Sequence, residues 1–450
     1  MHRDHVADKV VSHVKIALCV YASLVVLVTA ASWAIYLHHR TIYTRPLFTM
    51  NDQFHDLTNF IGKSAHLYHG AATLGAGLPT YPYPAPGIFV FKALIYAFPG
   101  HAVQTYIAFL AICILGFALV AWRACLPSRT VRPYAAAAIA ITAVLGYPLW
   151  FTAVRGNPEC VVWALSAAGI CLFLRRRVLG AALLIGIAAS IKPFPILFLL
   201  LLLRRRKYKE AALGLVTAGL LVLAALIVLG PNPWKAYQEL LPGVYSYIDI
   251  HVNRLDHYEE ARFEHSLLDG MKSAALSVEM GGIRPHKAIG DIEKLRDEPG
   301  GWHVVRTLVR IYPFVVITAL GMLIAVFYNM PVLNQVTALC VAVSIIPPVS
   351  ADYTLLQIYL PFGAFLVFLT REVAIGNAIF PNFSMLALAI IYALLFSPLT
   401  FLMIYAGDAK LLLLLALLFV AARSPMASAY FGDPADGDAT IMAHPQVQFR

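Results

Sequence analysis

The feature that most constrains this fold is an apolar segment of 26 residues, 178–203, that lies between two clusters of positive charge. The clusters are residues 175–177, which are all arginine, and residues 204–207, which read Arg-Arg-Arg-Lys. Lys and Arg in short loops beside membrane spans are retained on the cytoplasmic side. One helical crossing of the ~30 Å hydrocarbon core takes roughly 20 residues, so the segment is too short to cross twice. The sequence therefore predicts that the chain enters the membrane, turns and leaves on the same side.

The predicted turn carries Lys192, which is followed by Pro193-Phe194-Pro195. A broken helix is tolerated at membrane depth only where it is buried in protein or lines an aqueous cavity. A lysine held there is a candidate functional residue, and its natural ligand is an anion. The alternative interpretation is a structural lysine that extends its charged end back to the membrane interface.

The composition is typical of a polytopic membrane protein, since 60% of the 450 residues are hydrophobic and 13% are charged. The six cysteines form no Cys-x-x-Cys pair and no Cys/His cluster at zinc spacing, and we interpret them as packing residues. Long runs contain no Asp, Glu, Lys or Arg, and a soluble core does not need so many. These runs are residues 16–37, 134–154, 211–230, 311–351, 353–370 and 373–407.

The net charge of +10 follows the pattern of membrane topology, and it does not indicate a nucleic-acid partner. Residues 231–302 contain 8 Lys and Arg against 12 Asp and Glu, a net charge of −4, so the rest of the chain carries +14. The positive excess lies in the N-terminal tail and in short hairpins. The positive-inside rule then places the N-terminus in the cytoplasm and the loops 38–86 and 231–302 on the outer side.

We therefore predict an all-α integral membrane bundle of about 11 to 13 transmembrane helices, with amphipathic helices on the outer side and a broken re-entrant helical hairpin. Residues 1–425 form a single transmembrane domain in this prediction. It includes 38–86 as the first outer loop and 231–302 as the large outer loop. Residues 426–450 form a polar tail in the cytoplasm.

Polar residues that can perform chemistry gather in segments predicted on the outer side, where they can form one pocket. Apolar side chains of the first outer loop recur at helical spacing from Phe54, which predicts an amphipathic helix at the membrane surface. Asp56 lies near its start and faces away from lipid. The candidate site residues are Asp52, His55, Asp56, Tyr83, Arg155, Asn157, Lys192, His265, Ser266 and Tyr353.

Several of these candidates also have a structural interpretation. A helix cap or a solvated carboxylate explains Asp56, and Asp52 is a comparable candidate. The spacing Asp52-x-x-His55-Asp56 is only a weak metal signal, because all its ligands come from one short segment. An anchor at the membrane interface explains Arg155 equally well, and the aromatic belt explains Tyr353.

Short motifs occur in a definite order along the chain. They are Asp56-Leu57 with an aromatic residue four positions on, a region around Gly70 that leads to Tyr81-Pro82-Tyr83-Pro84-Ala85-Pro86, then Arg155-Gly156-Asn157, Ala188-Ala189-Ser190-Ile191-Lys192-Pro193-Phe194-Pro195, and Pro348-x-Ser350-x-x-Tyr353. This order resembles glycosyltransferase family 87 of the GT-C superfamily, which includes polyprenyl-phosphate-mannose-dependent mannosyltransferases. The Lys-Pro-x-Pro segment is its most specific part.

The resemblance implies a GT-C-like fold and transfer of a sugar, with mannose favoured, from a polyprenyl-phosphate donor to a lipid or glycan acceptor. It implies that Asp56 is the catalytic base, since an acceptor hydroxyl needs one, and that the reaction inverts the anomeric carbon. Lys192, helped by His265 and Arg155, would stabilise the departing lipid phosphate. No nucleotide diphosphate has to be neutralised, so neither a metal nor a cofactor is expected. The remaining candidates, Asp52, His55, Tyr83, Asn157, Ser266 and Tyr353, would contact substrate.

The implied location is the bacterial inner membrane, with the active site on the periplasmic or extracellular face. The alternative from another functional class is a transporter or flippase, in which Lys192 binds an anionic substrate near the middle of the membrane. Against it, the sequence shows no internal repeat, and the polar residues gather at one face. A membrane scaffold explains less, because it gives Lys192 no role.

Overall fold

The computed structural model describes residues 2–40, 45–47, 53–57, 83–126, 129–230, 232–255, 262–279, 294–295, 302–375, 382–428 and 431. Within these ranges the secondary structure is helical, apart from one isolated β-bridge between Glu264 and Ala351. The α-helices are α1 (His2–His39), α2 (Ala85–Ala97), α3 (Ala102–Cys125), α4 (Arg132–Leu145), α5 (Tyr147–Arg155), α6 (Glu159–Leu174), α7 (Val178–Ile191), α8 (Leu200–Arg204), α9 (Tyr208–Leu229), α10 (Pro233–Tyr247), α11 (Leu267–Glu279), α12 (His303–Phe327), α13 (Val332–Ile345), α14 (Tyr359–Ile375), α15 (Asn382–Leu395) and α16 (Ala406–Arg423). Short 3₁₀ helices cover Phe194–Leu199, Asp352–Ile358 and Thr400–Tyr405, and a π-helical turn covers Ile248–Val252.

Seven helical segments of the described chain are long and apolar enough to cross a membrane. This confirms the prediction of an all-helical membrane protein in its coarser form, whereas the number of about 11 to 13 spans stays a prediction. The described chain also contains shorter apolar helices, which include α7 and α13. The seven segments are Lys9–His39, Ala102–Cys125, Arg132–Arg155, Tyr208–Leu229, His303–Phe327, Asp352–Arg371 and Thr400–Arg423.

Burial separates central helices from peripheral ones. Every residue of α13 is buried, which is possible only for a helix with neighbours all round. In contrast, α9 and α12 are buried over only 11% of their most apolar window, and they expose leucine, isoleucine and phenylalanine side chains. Such apolar exposure suits a helix that faces lipid instead of water.

The apolar segment between the two basic clusters is broken at Lys192. Helix α7 ends there because Pro193 has no backbone N–H and disfavours helical geometry in the preceding residue. Lys192 is extended, with φ −133° and ψ 134°. The chain then continues through the 3₁₀ helix Phe194–Leu199 into α8.

The return course of this segment is shown by a contact between its two ends. The guanidinium of Arg205 donates to the carbonyl of Phe173 over 3.2 Å, and it stacks on the Phe173 ring at 4.1 Å from the centroid. The second basic cluster therefore lies beside the end of α6, where the first cluster begins. The placement of the segment as a re-entrant hairpin in a membrane stays a prediction.

Two glycines allow α7 and α9 to approach closely. A Cβ added at Gly186 would lie 2.5 Å from the carbonyl oxygen of Gly214, and one added at Gly214 would lie 3.0 Å from the carbonyl oxygen of Ala182. The first distance is shorter than real Cβ contacts and the second is tight, so larger residues would push the broken segment away from α9. This packing holds the segment against the bundle and fixes the position of Lys192.

The topology makes a labelling prediction. A cysteine at Arg206 is expected to be inaccessible to an impermeant thiol reagent added to intact cells, because the basic clusters are retained inside. Cysteines at Lys63 and Lys287, which lie outside the described residues, are expected to react. Arg206 has a left-handed φ of 56°, so Lys209→Cys, also exposed, serves as a second inner probe. Labelling of both inner positions by the external reagent would show that the orientation is the reverse of the predicted one.

Candidate active site

The candidate site is built on the turn that joins α5 to α6. Helix α5 ends at Arg155, and Gly156 takes the left-handed conformation, with φ 72°, that commonly terminates helices. Asn157 and Pro158 then lead directly into α6. The turn thereby presents two polar side chains, Arg155 and Asn157, within three residues.

Gly156 also allows residues 53–57, which belong to the predicted first outer loop, to approach this turn closely. An added Cβ would lie 2.8 Å from the Cβ of Leu57 and 3.3 Å from the Cα of Phe54. The backbone N–H of Phe54 donates to the carbonyl of Val154 over 2.6 Å. Only glycine, which has no side chain, allows the two segments to come so close. This contact delivers Asp56 to the end of α5.

Asp56 is held by one donor on each carboxylate oxygen. The Nε of Arg155 donates to Oδ1 over 2.7 Å, and the Nδ2 of Asn157 donates to Oδ2 over 2.6 Å. The side chain of Asp56 is 10% exposed and that of Arg155 is 23% exposed. The structure therefore brings Asp56 and Arg155 into direct contact, and their assignment to a functional site stays a prediction.

Asn157 is the centre of the network. Besides Asp56, its Nδ2 donates to the hydroxyl of Tyr83 over 3.1 Å. Its Oδ1 accepts from Lys192 Nζ over 3.3 Å and from the backbone N–H of Glu159 over 3.0 Å. A side-chain amide has two N–H groups and two lone pairs, and these four contacts use all of them. The amide thus connects Asp56 on one side to Lys192 on the other.

Lys192 lies between a carboxylate and two aromatic rings. Its Nζ donates to Glu159 Oε2 over 2.6 Å. It also lies 5.2 Å from the ring centroid of Tyr83 and 4.6 Å from that of Tyr353, which are cation–π distances. The side chain is 14% exposed. The helix break therefore orients Lys192 so that its ammonium lies within a cluster of polar protein groups.

The electrostatics of the cluster are balanced. Two cations, Arg155 and Lys192, alternate with two carboxylates, Asp56 and Glu159. Burial, reinforced by the negative charge of Asp56, raises the pKa of Tyr83, which keeps its hydroxyl protonated at neutral pH.

His265 lies in a second polar cluster, which is fully enclosed. Its Nε2 lies 3.1 Å from Thr354 Oγ1 and its Nδ1 lies 3.4 Å from Asp352 Oδ1. Lys410 donates to the other oxygen of Asp352. Burial lowers the pKa of His265 despite the nearby carboxylate, so the imidazole is neutral at pH 7. The second cluster joins the first through the chain, since Tyr353 follows Asp352.

The remaining predicted residues have different positions. Ser266 caps α11, because its Oγ accepts from the backbone N–H of Asp269 over 3.0 Å, and it also donates to the carbonyl of Pro348 over 3.0 Å. His55 is exposed on the same helical turn as Asp56. Asp52 lies outside the described residues. The substrate-binding roles of these residues stay predictions.

The structure adds residues that the sequence analysis did not include in the site. Glu159 is the partner of Lys192, and Gln357 donates to the other oxygen of Glu159 over 2.7 Å. Glu159 stands two residues after Asn157, at the start of an otherwise apolar helix, and that position was the available signal. Gln357 lies 198 positions further along the chain, and no local pattern indicates it. In the part of the chain that the structure describes, no group of three or more His, Cys, Asp or Glu side chains could hold a metal.

Comparison with known proteins bears on the class of this site. The model of glycosyltransferase family 87 matches residues 80–258 of the chain. This is a family of GT-C type membrane glycosyltransferases, so the resemblance stated from the motifs is confirmed, and the match indicates a membrane glycosyltransferase. The matched range includes Tyr83, Arg155, Asn157, Glu159 and Lys192. No curated protein and no solved structure matches the chain.

Proposed function

We propose that this chain transfers a hexose, with mannose favoured, from a polyprenyl-phosphate donor to a lipid or glycan acceptor, with inversion at the anomeric carbon. One observation carries the proposal: Asn157 joins Asp56, the candidate base, to Lys192, the candidate phosphate ligand, in a single network. A base and a fixed cation are the two groups that this reaction requires. The family match supports the same class of chemistry.

In this mechanism Asp56 removes the proton of the acceptor hydroxyl as its oxygen attacks the anomeric carbon. Each carboxylate oxygen has two lone pairs, and the contacts with Arg155 and Asn157 occupy one on each. Asp56 can therefore accept the hydroxyl hydrogen while both donors stay in place. The two donors fix the carboxylate plane, which reduces the motion needed to reach the reactive geometry.

On the other side of the sugar, the bond between the anomeric carbon and the phosphate oxygen breaks, and its electron pair remains on the phosphate. The ammonium of Lys192 has three N–H groups, of which the described contacts with Glu159 and Asn157 use two. The third can donate to a phosphate oxygen. Arg155 is the second cation of the proposed phosphate site. His265 was predicted to assist them, but its two ring nitrogens face Thr354 and Asp352 in the second cluster, so we assign it no direct contact with the phosphate.

The proposed location is the bacterial inner membrane, with the site on the periplasmic or extracellular face. The negative charge of 231–302 and the basic hairpins support this orientation. The bilayer supplies the donor, and no nucleic acid takes part. No metal or cofactor enters the proposed mechanism.

The direct test is a sugar-transfer assay with the purified full chain in lipid nanodiscs. Defined polyprenyl-phosphate sugars, with mannose first, are supplied together with extracted envelope lipids and glycans as acceptors, and nucleotide sugars serve as the comparison. We expect a glycosylated product only with a lipid-linked donor. Transfer from nucleotide sugars alone would contradict the proposed donor. Movement of the donor across sealed liposomes without transfer would favour a transporter.

Lys192 provides a further prediction. Lys192→Ala is expected to weaken donor binding by about ten- to a hundredfold, because a hydrogen bond to a charged group contributes about 1.5 to 3 kcal/mol. Lys192→Arg should restore part of the affinity, since the charge survives while the geometry changes. Donor affinity is measured for both variants and for wild type.

The control for this series addresses Glu159, which Lys192→Ala leaves buried without its cation. The same two substitutions are therefore repeated in a Glu159→Gln background, where no carboxylate is stranded. If affinity for the donor is equal across wild type and both variants in both backgrounds, Lys192 does not bind the phosphate.

A further inference from the structure

We infer that Glu159 offsets the charge of Lys192 so that the phosphate product can leave the site. The inference rests on the proposed function, and it adds regulation of product release to it. Glu159 acts through Lys192, so we describe it as a positioning residue and not as a catalytic one.

The need for such a residue follows from the charges of donor and product. A polyprenyl-phosphate sugar is a phosphodiester with one negative charge. Transfer leaves the electron pair of the broken bond on the phosphate oxygen, while the acceptor oxygen bonds the sugar and its proton passes to Asp56. The polyprenyl phosphate that remains is a monoester with about −1.5 to −2 charges at pH 7. A cationic site therefore binds the product more tightly than the donor.

Glu159 is built into the site as a fixed group. It is 2% exposed, its Oε2 accepts from Lys192 over 2.6 Å, and its Oε1 accepts from Gln357 over 2.7 Å. Its backbone N–H donates to Asn157 Oδ1 over 3.0 Å. It also lies in the first turn of α6, where the helix dipole favours a negative charge. With both oxygens engaged, the carboxylate is held against Lys192.

The chemistry described for the transfer does not use this carboxylate. Asp56 is required as the base, and Arg155 orients it. Lys192 without Glu159 would give the network an excess positive charge, which would hold the product even more strongly than the donor. Glu159 thus reduces product affinity at a small cost in donor affinity.

The different charges of donor and product predict a quantitative effect on binding. Coulomb energy is proportional to the charge of the ligand, so removal of the Glu159 charge should change the logarithm of affinity about twice as much for a dianion as for a monoanion. With the screening of a partly hydrated site, we expect Glu159→Gln to tighten diester binding by about threefold and monoester binding by about tenfold. A loss of structure alone would weaken the binding of both ligands.

The experiment uses the full chain in nanodiscs at pH 8, with a polyprenyl phosphate and its methyl diester of the same chain length as probes. Dissociation constants are measured for wild type, Glu159→Gln and Glu159→Asp. Glu159→Asp withdraws the carboxylate by one methylene, so an intermediate ratio of monoester to diester affinity is expected. In Glu159→Gln, multiple-turnover transfer should also slow more than single-turnover transfer, because release limits it.

The outcomes separate this inference from the proposed function. An affinity ratio that is the same in all three proteins, or weaker monoester binding in Glu159→Gln, would overturn the role of Glu159. Binding is measured without sugar or acceptor, so it does not depend on transfer. The expected ratios together with a wild-type chain that transfers no sugar from any donor would overturn the proposed function and leave the anion site in place.

Discussion

Asp56→Asn is expected to slow sugar transfer by about 10² to 10⁴ while donor binding persists. Asparagine has the shape of aspartate, and its single amide oxygen can accept from one of the two donors, Arg155 or Asn157, but its amide cannot take a proton from the acceptor hydroxyl. The loss should therefore appear in the rate of the chemical step. Single-turnover transfer and donor affinity, measured on the same preparation, distinguish the two effects.

The matched control is Asp52→Asn, which removes a carboxylate four positions earlier in the same loop. It should retain most of the wild-type rate. Near-wild-type turnover in Asp56→Asn, together with an inactive Asp52→Asn, would show that the wrong carboxylate had been assigned as the base. A parallel loss of donor affinity in Asp56→Asn would instead indicate that the variant disturbs the network through Arg155.

The break at Lys192 was predictable because its causes are local. Pro193 removes a backbone donor, and the basic clusters at 175–177 and 204–207 require both ends of the segment to lie on one side. The break between α4 and α5 had no such signal in hydropathy. The run 134–154 is uncharged throughout, yet α4 ends at Leu145, with Gly146 as its C-cap. Hydropathy indicates which segments can contact lipid, and a kink between two apolar helices leaves the hydropathy of the run unchanged.

The site was predictable only in part, since the residues that form it are far apart in sequence. Lys192 and Asn157 are 35 positions apart, and Asn157 and Asp56 are 101 apart. Their individual chemistry and the family resemblance indicated one site, but no spacing rule predicts which groups touch. Glu159 was missed for this reason, because its role is recognisable only when its contact with Lys192 is known. A carboxylate at a helix start has an ordinary explanation until its partner is known.

The ion pair of the second cluster was missed because both of its members look ordinary in sequence. Asp352 and Lys410 are 58 positions apart, and each lies near the end of an apolar run. In the structure both side chains are completely buried. Taking two charges out of water is costly, so such a pair is stable only while both members are present. Asp352 also contacts His265 and precedes Tyr353, which places the pair next to the candidate site.

Lys410→Met is therefore expected to destabilise the folded protein by about 3 to 5 kcal/mol, because it leaves a buried carboxylate without its cation. The double variant Lys410→Met with Asp352→Asn carries neither charge and should recover most of the loss. Apparent melting temperatures in one detergent, followed by tryptophan fluorescence, compare the two. Arg254→Met is the control, since its ion pair with Asp249 is 41% and 55% exposed and should contribute only about 0 to 1 kcal/mol.

The same double variant separates stability from function. If the buried pair serves only the fold, Lys410→Met with Asp352→Asn will restore both the melting temperature and the donor affinity. If the pair also positions Tyr353 over Lys192, the melting temperature will recover while donor affinity stays reduced, because the 4.6 Å contact depends on the placement of the 3₁₀ helix Asp352–Ile358. If Lys410→Met has the same melting temperature as wild type, that result would contradict the burial of the pair and the link between the two clusters.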